Sequence, residues 1–227
     1  MLKDDRMRSI YDLTRENVTV CDVGTDHGIL PIELILNKKS PRCIMTDISA
    51  PSLEKGVKNA KAAGVGKSIS AYNTNGTLGV TLEDKMDFII AGMGAELIAQ
   101  ILMQDERLKN PDYGFVLQPM SKAEYLRTFL SENGFETECE VKVLACNRIY
   151  PIIRATYRAK AEKITDIQRY LGYGFDPNRD IDFKYAEKVL NSLEVRLKGL
   201  KSSEDHPECE IERLKVVINE IKAEIKR

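Results

Sequence analysis

This 227-residue chain has no tryptophan, no ordered cysteine spacing and no excess of either charge. Its five cysteines are Cys21, Cys43, Cys139, Cys146 and Cys209. No two form a C-x-x-C pair, and the odd, scattered set argues against a disulfide framework or a structural zinc site. Cys21 and Cys43 lie in apolar runs and read as small core residues. Lys plus Arg number 34 and Asp plus Glu 35, so the chain has no global basic field. A nucleic-acid partner would need a local patch. No apolar run approaches the roughly 20 residues a membrane span needs. The opening Met1-Leu2-Lys3-Asp4-Asp5-Arg6 is charged and carries no apolar signal region. These absences imply a cytoplasmic protein without metal or membrane attachment. Hydrophobic residues make up 43%, enough for a sizeable core.

Through the first two thirds, strand-like and helix-like segments alternate. The β-branched run from Val18 to Val23 ends at Gly24, and Pro31 to Asn37 reads as a helix with proline in its first turn. Strands are expected at Arg42–Ile48, Ser68–Tyr72, Met86–Ile90 and Phe115–Leu117. Helices are expected at Pro51–Ala63, Ala95–Met103 and Lys122–Glu132. Phe135–Ala145 and Tyr150–Arg158 then read as two strands with no helix between them. Repeated βα units imply a parallel sheet covered on both faces, and the closing pair implies an antiparallel hairpin at its edge. After about residue 160 the pattern changes. Ile181, Tyr185, Val189, Leu193 and Leu197, then Ile211, Leu214, Val217, Ile218, Ile221 and Ile225, recur at spacings of three and four. They imply two amphipathic helices joined by a polar turn at 202–207. The expected division is 1–160 for an α/β domain and 161–227 for a coiled-coil-like helical hairpin.

The loop after the first strand reads Asp22-Val23-Gly24-Thr25-Asp26-His27-Gly28. Its glycines permit close backbone approach to a ligand. A dinucleotide loop must accept a pyrophosphate at a helix N-terminus, and Asp22 and Asp26 would set negative charge beside that anion. S-adenosylmethionine has no phosphate. It carries a sulfonium and an ammonium, which carboxylates favour. Asp26 could instead cap the next helix. Asp47, 23 residues after Gly24 and followed by Ile48, stands where an acidic residue meets ribose hydroxyls, or it caps the helix at Pro51. Asn75-Gly76 could contact an adenine ring or form a simple turn. Ala91-Gly92-Met93-Gly94 sits at the carboxyl end of the fourth strand, where open α/β sheets bind ligands. Met93 there suits either an adenine or methyl pocket or the core.

Together, Asp22-x-Gly24-x-Asp26-His27-Gly28-x-Leu30-Pro31, Ala91-Gly92-Met93-Gly94, and Leu117-Gln118-Pro119 followed by Leu126-Arg127 resemble the bacterial tRNA adenine-N1 methyltransferases of the TrmK family, which modify position 22. The resemblance runs from about Arg6 to Arg154, and the helical appendage resembles that family's extension. Four places depart from the family pattern: Asn73 to Leu78 replaces a Gly-Asp-Gly-Leu segment, Ala95 replaces a glycine, Phe129 replaces a tryptophan, and Tyr150-Pro151 replaces a Tyr-Glu. The resemblance implies a class I methyltransferase fold, Rossmann-like and doubly wound, with a C-terminal helical hairpin, S-adenosylmethionine as methyl donor and tRNA as acceptor. A methylated adenine is cationic until it loses a proton, and a nearby carboxylate could accept that proton or stabilise the charge, which makes Asp26 the candidate catalytic residue, with His27 second. Arg6, Arg8, Gln118, Pro119 and Lys188 become candidate RNA contacts, Arg15 could flank the cleft, and oligomeric state is left open. Three other readings compete. They are a methyltransferase for a different RNA base or a small molecule, a non-catalytic RNA-binding protein on the same fold, and an NAD-dependent oxidoreductase, which Asp26 disfavours.

Overall fold

The computed structural model describes residues 2, 4–202 and 208–226. Positions 203–207, most of the expected polar turn, lie outside the described residues. The chain divides into two compact units, residues 1–162 and 163–227.

The first unit runs α1 (Asp5–Leu13), β1 (Thr19–Val23), α2 (Ile29–Leu36), β2 (Cys43–Asp47), α3 (Ala50–Ala62), β3 (Ile69–Asn73), β4 (Met86–Met93), α4 (Ala95–Gln104), β5 (Gly114–Pro119), α5 (Ala123–Glu132), β6 (Phe135–Ala145) and β7 (Arg148–Tyr157). The seven strands form one sheet in the order β3-β2-β1-β4-β5-β7-β6. Strands β1 to β5 are parallel; β7 is antiparallel to both β5 and β6. Strand order reverses between β1 and β4, which opens a crevice beyond their carboxyl ends.

The central strands are apolar on both faces because helices cover both. Along β4, Phe88 and Ile90 join one core with Ile98 and Leu102 of α4 and Leu126 and Leu130 of α5. Ile89 joins the opposite core with Ile10 of α1 and Leu30 and Leu34 of α2. Cys21 and Cys43 are fully buried, and burial pushes both thiols up, so they stay protonated and unreactive.

Two features of this unit differ from the sequence expectation. Strand β4 continues to Met93 through an irregularity between Ala91 and Met93, so Ala91-Gly92 belongs to the strand rather than following it. Helix α1 was not expected at all. Asp4 caps it by accepting from the Met7 amide at 2.8 Å, and its inward stripe is Met7, Ile10 and Tyr11.

The second unit holds α6 (Asp166–Leu171), α7 (Asp180–Lys201) and α8 (Glu208–Ile225). Its core comprises Leu171, Ala186, Leu193, Leu214, Val217, Ile218 and Ile221. The short α6 was also not expected; a capping box between Thr165 and Gln168 starts it. Cross-helix ion pairs join Glu194 to Lys222 and Arg196 to Glu210. Their reversed order along the two helices shows that α7 and α8 run antiparallel. No helix among the described residues is long and apolar enough to cross a membrane.

Candidate active site

A cleft of about 440 Å³ lies at the reversal point. The loop after β1 contributes Asp22, Gly24 and Asp26, and α2 contributes Ile29 and Leu30. The end of β4 contributes Ala91 and Gly92, Met120 follows β5, and Asp4, Arg6, Met7 and Ile10 come from α1. Polar and apolar groups share its walls, with two charged poles; Asp4 lies 3.9 Å from Arg6 at one of them.

The first pole is acidic. Asp22, the last residue but one of β1, is buried, and its Oδ2 accepts from the Thr25 hydroxyl at 2.6 Å. Burial pushes its carboxyl up to about 6; the Thr25 hydrogen bond opposes the shift, and the nearby negative charges of Asp47 and Asp26 add to it. Asp26 lies on the cleft wall but its side chain is 84% exposed, with Oδ1 3.2 Å from His27 Nε2. The two carboxylates that the sequence set on equal terms thus differ sharply. Asp22 is the desolvated one, because it lies in a central strand buried on both faces; Asp26 faces water from the loop.

Backbone geometry supports close approach at this pole. Gly24 adopts φ +73°, and a Cβ there would lie 2.1 Å from Met93 Cε. Met93 therefore lies over the bare Gly24 backbone while also packing on the core. Gly24 and Thr25 are pinned from below by amide hydrogen bonds to the Thr46 carbonyl at 2.8 and 3.0 Å. Gly28 serves packing instead. With φ +69° it starts α2, and a Cβ would meet Met45 Sδ at 2.9 Å and the α3 backbone at Gly56 at 3.2 Å.

The second pole is a cation. Arg6 reaches across from α1, donating to Gln118 Oε1 at 3.3 Å and stacking over Tyr150 with 5.7 Å to the ring centroid. The Gln118 oxygen also accepts from the Gly92 amide at 3.2 Å, and its Nε2 donates to the Pro119 carbonyl at 2.9 Å. Gln118 is fully buried. It ties α1, β4 and β5 together. Pro119 is likewise buried, with Met120 held against β4 through the Met93 carbonyl.

Other expected residues lie away from the cleft. Asp47 Oδ1 accepts from the Ser49 amide at 2.7 Å, which prepares the start of α3. Its Oδ2 has no partner among the described residues. Ile48 is 76% exposed. Asn75 turns toward α4, exchanging hydrogen bonds with Gln104, and Gly76 is buried beneath the same side chain; this is the turn reading of that pair. Gly94 starts α4, its carbonyl accepting from the Ile98 amide. The His27 ring is not part of the cleft lining; its backbone carbonyl accepts from Asn59 of α3. Arg8 is exposed and paired with Asp5.

Arg15 requires a correction. Its backbone amide and Nε both donate to the buried Asp87 at 2.7 Å, at the amino end of β4, where Arg154 also binds. It clamps the opposite edge of the sheet and cannot flank the cleft. Lys188 is exposed on α7, within the second unit.

Among residues missed from sequence, Tyr150, Asp4, Met7 and Ile10 stand out. The Asp4 cap and the three- and four-residue spacing of Met7, Ile10 and Tyr11 were the available signal for the last three. Among the described residues, no group of three or more His, Cys, Asp or Glu could hold a metal.

A model of the methyltransferase domain matches residues 3–153. A Mycoplasma pneumoniae protein with a provisional tRNA methyltransferase name is 32% identical over 192 residues, covering 78% of this chain and 82% of that one. The chain belongs to the methyltransferase family. The Bacillus subtilis tRNA (adenine(22)-N(1))-methyltransferase is 26% identical to this methyltransferase over 151 residues, covering 66% of the chain. That match spans 63% of the Bacillus enzyme, less than two thirds of its length. A Streptococcus pneumoniae structure, provisionally named a tRNA (m1A22) methyltransferase, superposes with a TM-score of 0.83. It is 26% identical, and the match covers 99% of this methyltransferase and 100% of that chain. A second structure of the Streptococcus protein holds S-adenosyl-L-methionine.

Proposed function

We propose that this methyltransferase transfers a methyl group from S-adenosylmethionine to N1 of an adenine in tRNA, at position 22. The buried Asp22 carboxylate at the foot of the cleft carries the reading. A desolvated carboxylate beside bare Gly24 backbone favours a cation and would repel a pyrophosphate. The residues present fit the methyl donor. Asp22 with Thr25 would meet its positive end, and Met7, Ile10 and Leu30 would exclude water. Bound there, S-adenosylmethionine supplies a methyl carbon activated by its sulfonium.

The acceptor needs little activation. Adenine N1 carries a lone pair and attacks without prior deprotonation, so the protein contributes mainly in-line positioning, which can lower a barrier by roughly 7–11 kcal/mol. N1 lies on the Watson–Crick edge, and the base must be unpaired or flipped out. Arg6, braced by Gln118 and Tyr150, is placed to hold such a base or its phosphate. The methylated base is cationic until its exocyclic amine loses a proton. Asp26, solvated and oriented by His27, receives that proton or stabilises the charge. The protein works in the cytoplasm with its tRNA substrate.

Titration calorimetry separates the cofactor classes: S-adenosylmethionine and S-adenosylhomocysteine should bind, and NAD should not. With labelled methyl donor and an unmodified tRNA transcript, label should enter the RNA as 1-methyladenosine. Label confined to protein or small molecules would refute the RNA reading. NAD binding without S-adenosylmethionine binding would refute the cofactor reading.

A further inference from the structure

The second unit contains a concave cationic notch outside the cleft. Arg169 and Tyr170 close α6, Arg196 comes from α7, and Glu210, Arg213, Leu214 and Val217 come from α8; together they line a cavity of about 180 Å³. Leu214 and Val217 belong to the unit's buried core and give the notch a fixed floor. Its one acidic lining residue is already engaged, because Glu210 accepts from Arg196 at 2.5 Å. Glu212, next to Arg213, pairs with Lys215. Arg213 therefore contributes positive charge that Glu210 does not cancel. Arg213 is exposed and forms no ion pair among the described residues, whereas Lys184, Lys215 and Lys222 of the same helices are paired with carboxylates. The Arg169 guanidinium stacks over Tyr170, 5.5 Å from the ring centroid. That stack orients a planar fork of donors beside an aromatic face.

We infer that this notch binds a phosphodiester of the RNA substrate, with Arg213 and Arg169 on the phosphate oxygens and Tyr170 beside the adjoining nucleotide. Arginine forks match phosphate oxygens bidentately, and an aromatic face next to them suits an unpaired base better than an acidic peptide. The contact is separate from the methyl-transfer cleft, and its assignment to RNA rests on the tRNA reading above. It moves the appendage contribution from Lys188, on an exposed helix face, to three residues sharing one concavity.

The test uses the full-length protein and unmodified tRNA, with affinity read by fluorescence anisotropy at salt concentrations between about 50 and 200 mM. Arg213→Glu and the milder Arg213→Ala are compared with Lys226→Glu, which makes the same charge reversal beyond the notch. Arg213→Glu should weaken binding roughly five- to tenfold and lower the slope of log K against log salt by about 1. Lys226→Glu should leave both near wild type. S-adenosylmethionine affinity and kcat at saturating tRNA should not change. Affinity loss no larger than that of Lys226→Glu, or an unchanged salt slope in both Arg213 variants, would overturn the proposal. So would polyglutamate competing as well as RNA of equal charge. The two readings fail separately: methylation of tRNA with an unchanged KM in Arg213→Glu removes the notch alone, and Arg213-dependent tRNA binding without methyl transfer removes the catalytic reading alone.

Discussion

Asp22 shows how one residue can set both stability and ligand preference. Its carboxyl stands at about 6 in the folded protein, against 3.8 for the free group. The fold therefore binds this proton more tightly than the unfolded chain does. Between those two values stability falls as pH rises, and above pH 6 the ionised group costs about 3 kcal/mol. A bound cation offsets that cost. S-adenosylmethionine should consequently bind more tightly as pH rises through 6. Asp22→Asn, which can still accept from Thr25, should raise the unliganded melting temperature at pH 7.5 by several degrees, weaken cofactor binding and flatten its pH dependence. Calorimetry at pH 5 and 7.5 with paired thermal melts measures all three; a variant less stable than wild type, with unchanged pH dependence, contradicts this role. Asp26→Ala should lower turnover more than RNA affinity, and unchanged turnover would remove Asp26 from catalysis. The sequence showed both aspartates beside glycines but could not tell which was desolvated, because that depends on which way β1 turns its last side chains. Arg15 was misjudged for a related reason: closeness to β1 along the chain does not say which edge of the sheet a side chain reaches.

At the scale of elements, the βα alternation was legible because each strand is a short β-branched or apolar run closed by glycine or proline. Helix α1 was not, since Asp5–Leu13 is short and rich in charge, and its apolar stripe is completed only by packing on the sheet. The cleft depends on that helix through Gln118. Gln118→Leu removes the hydrogen bonds to Arg6, Gly92 and Pro119 together. The loss should reduce kcat/KM for tRNA about tenfold, as expected for one to two buried hydrogen bonds, with S-adenosylmethionine affinity changed much less. Equal losses in both would mean that Gln118 supports the whole fold rather than the acceptor side. A second element contact is purely structural. Arg127 of α5 and Glu140 of β6 form a fully buried bidentate pair, at 3.0 and 2.8 Å. Arg127→Ala should destabilise by about 3–5 kcal/mol, because it leaves Glu140 buried without its partner. Denaturant unfolding should show this, and Arg127→Met with Glu140→Leu should recover much of the loss. A single variant as stable as wild type would contradict the pairing.

At the scale of the molecule, the switch from two- to four-residue apolar periodicity marked where the sheet ends and the helices begin. The neutral overall charge said only that RNA contacts must be local. It could not show that Arg196 and Lys222 pair across to Glu210 and Glu194, since that depends on how the two helices face each other. The central claim is methyl transfer to N1 of one tRNA adenine, and mapping the modified position tests it most directly. A methyl on N1 blocks the Watson–Crick edge and halts reverse transcription. After reaction with S-adenosylmethionine, the expected result is one new stop at adenine 22, absent from a transcript carrying guanine there. A stop at another base, or methylated RNA with no stop, would contradict it.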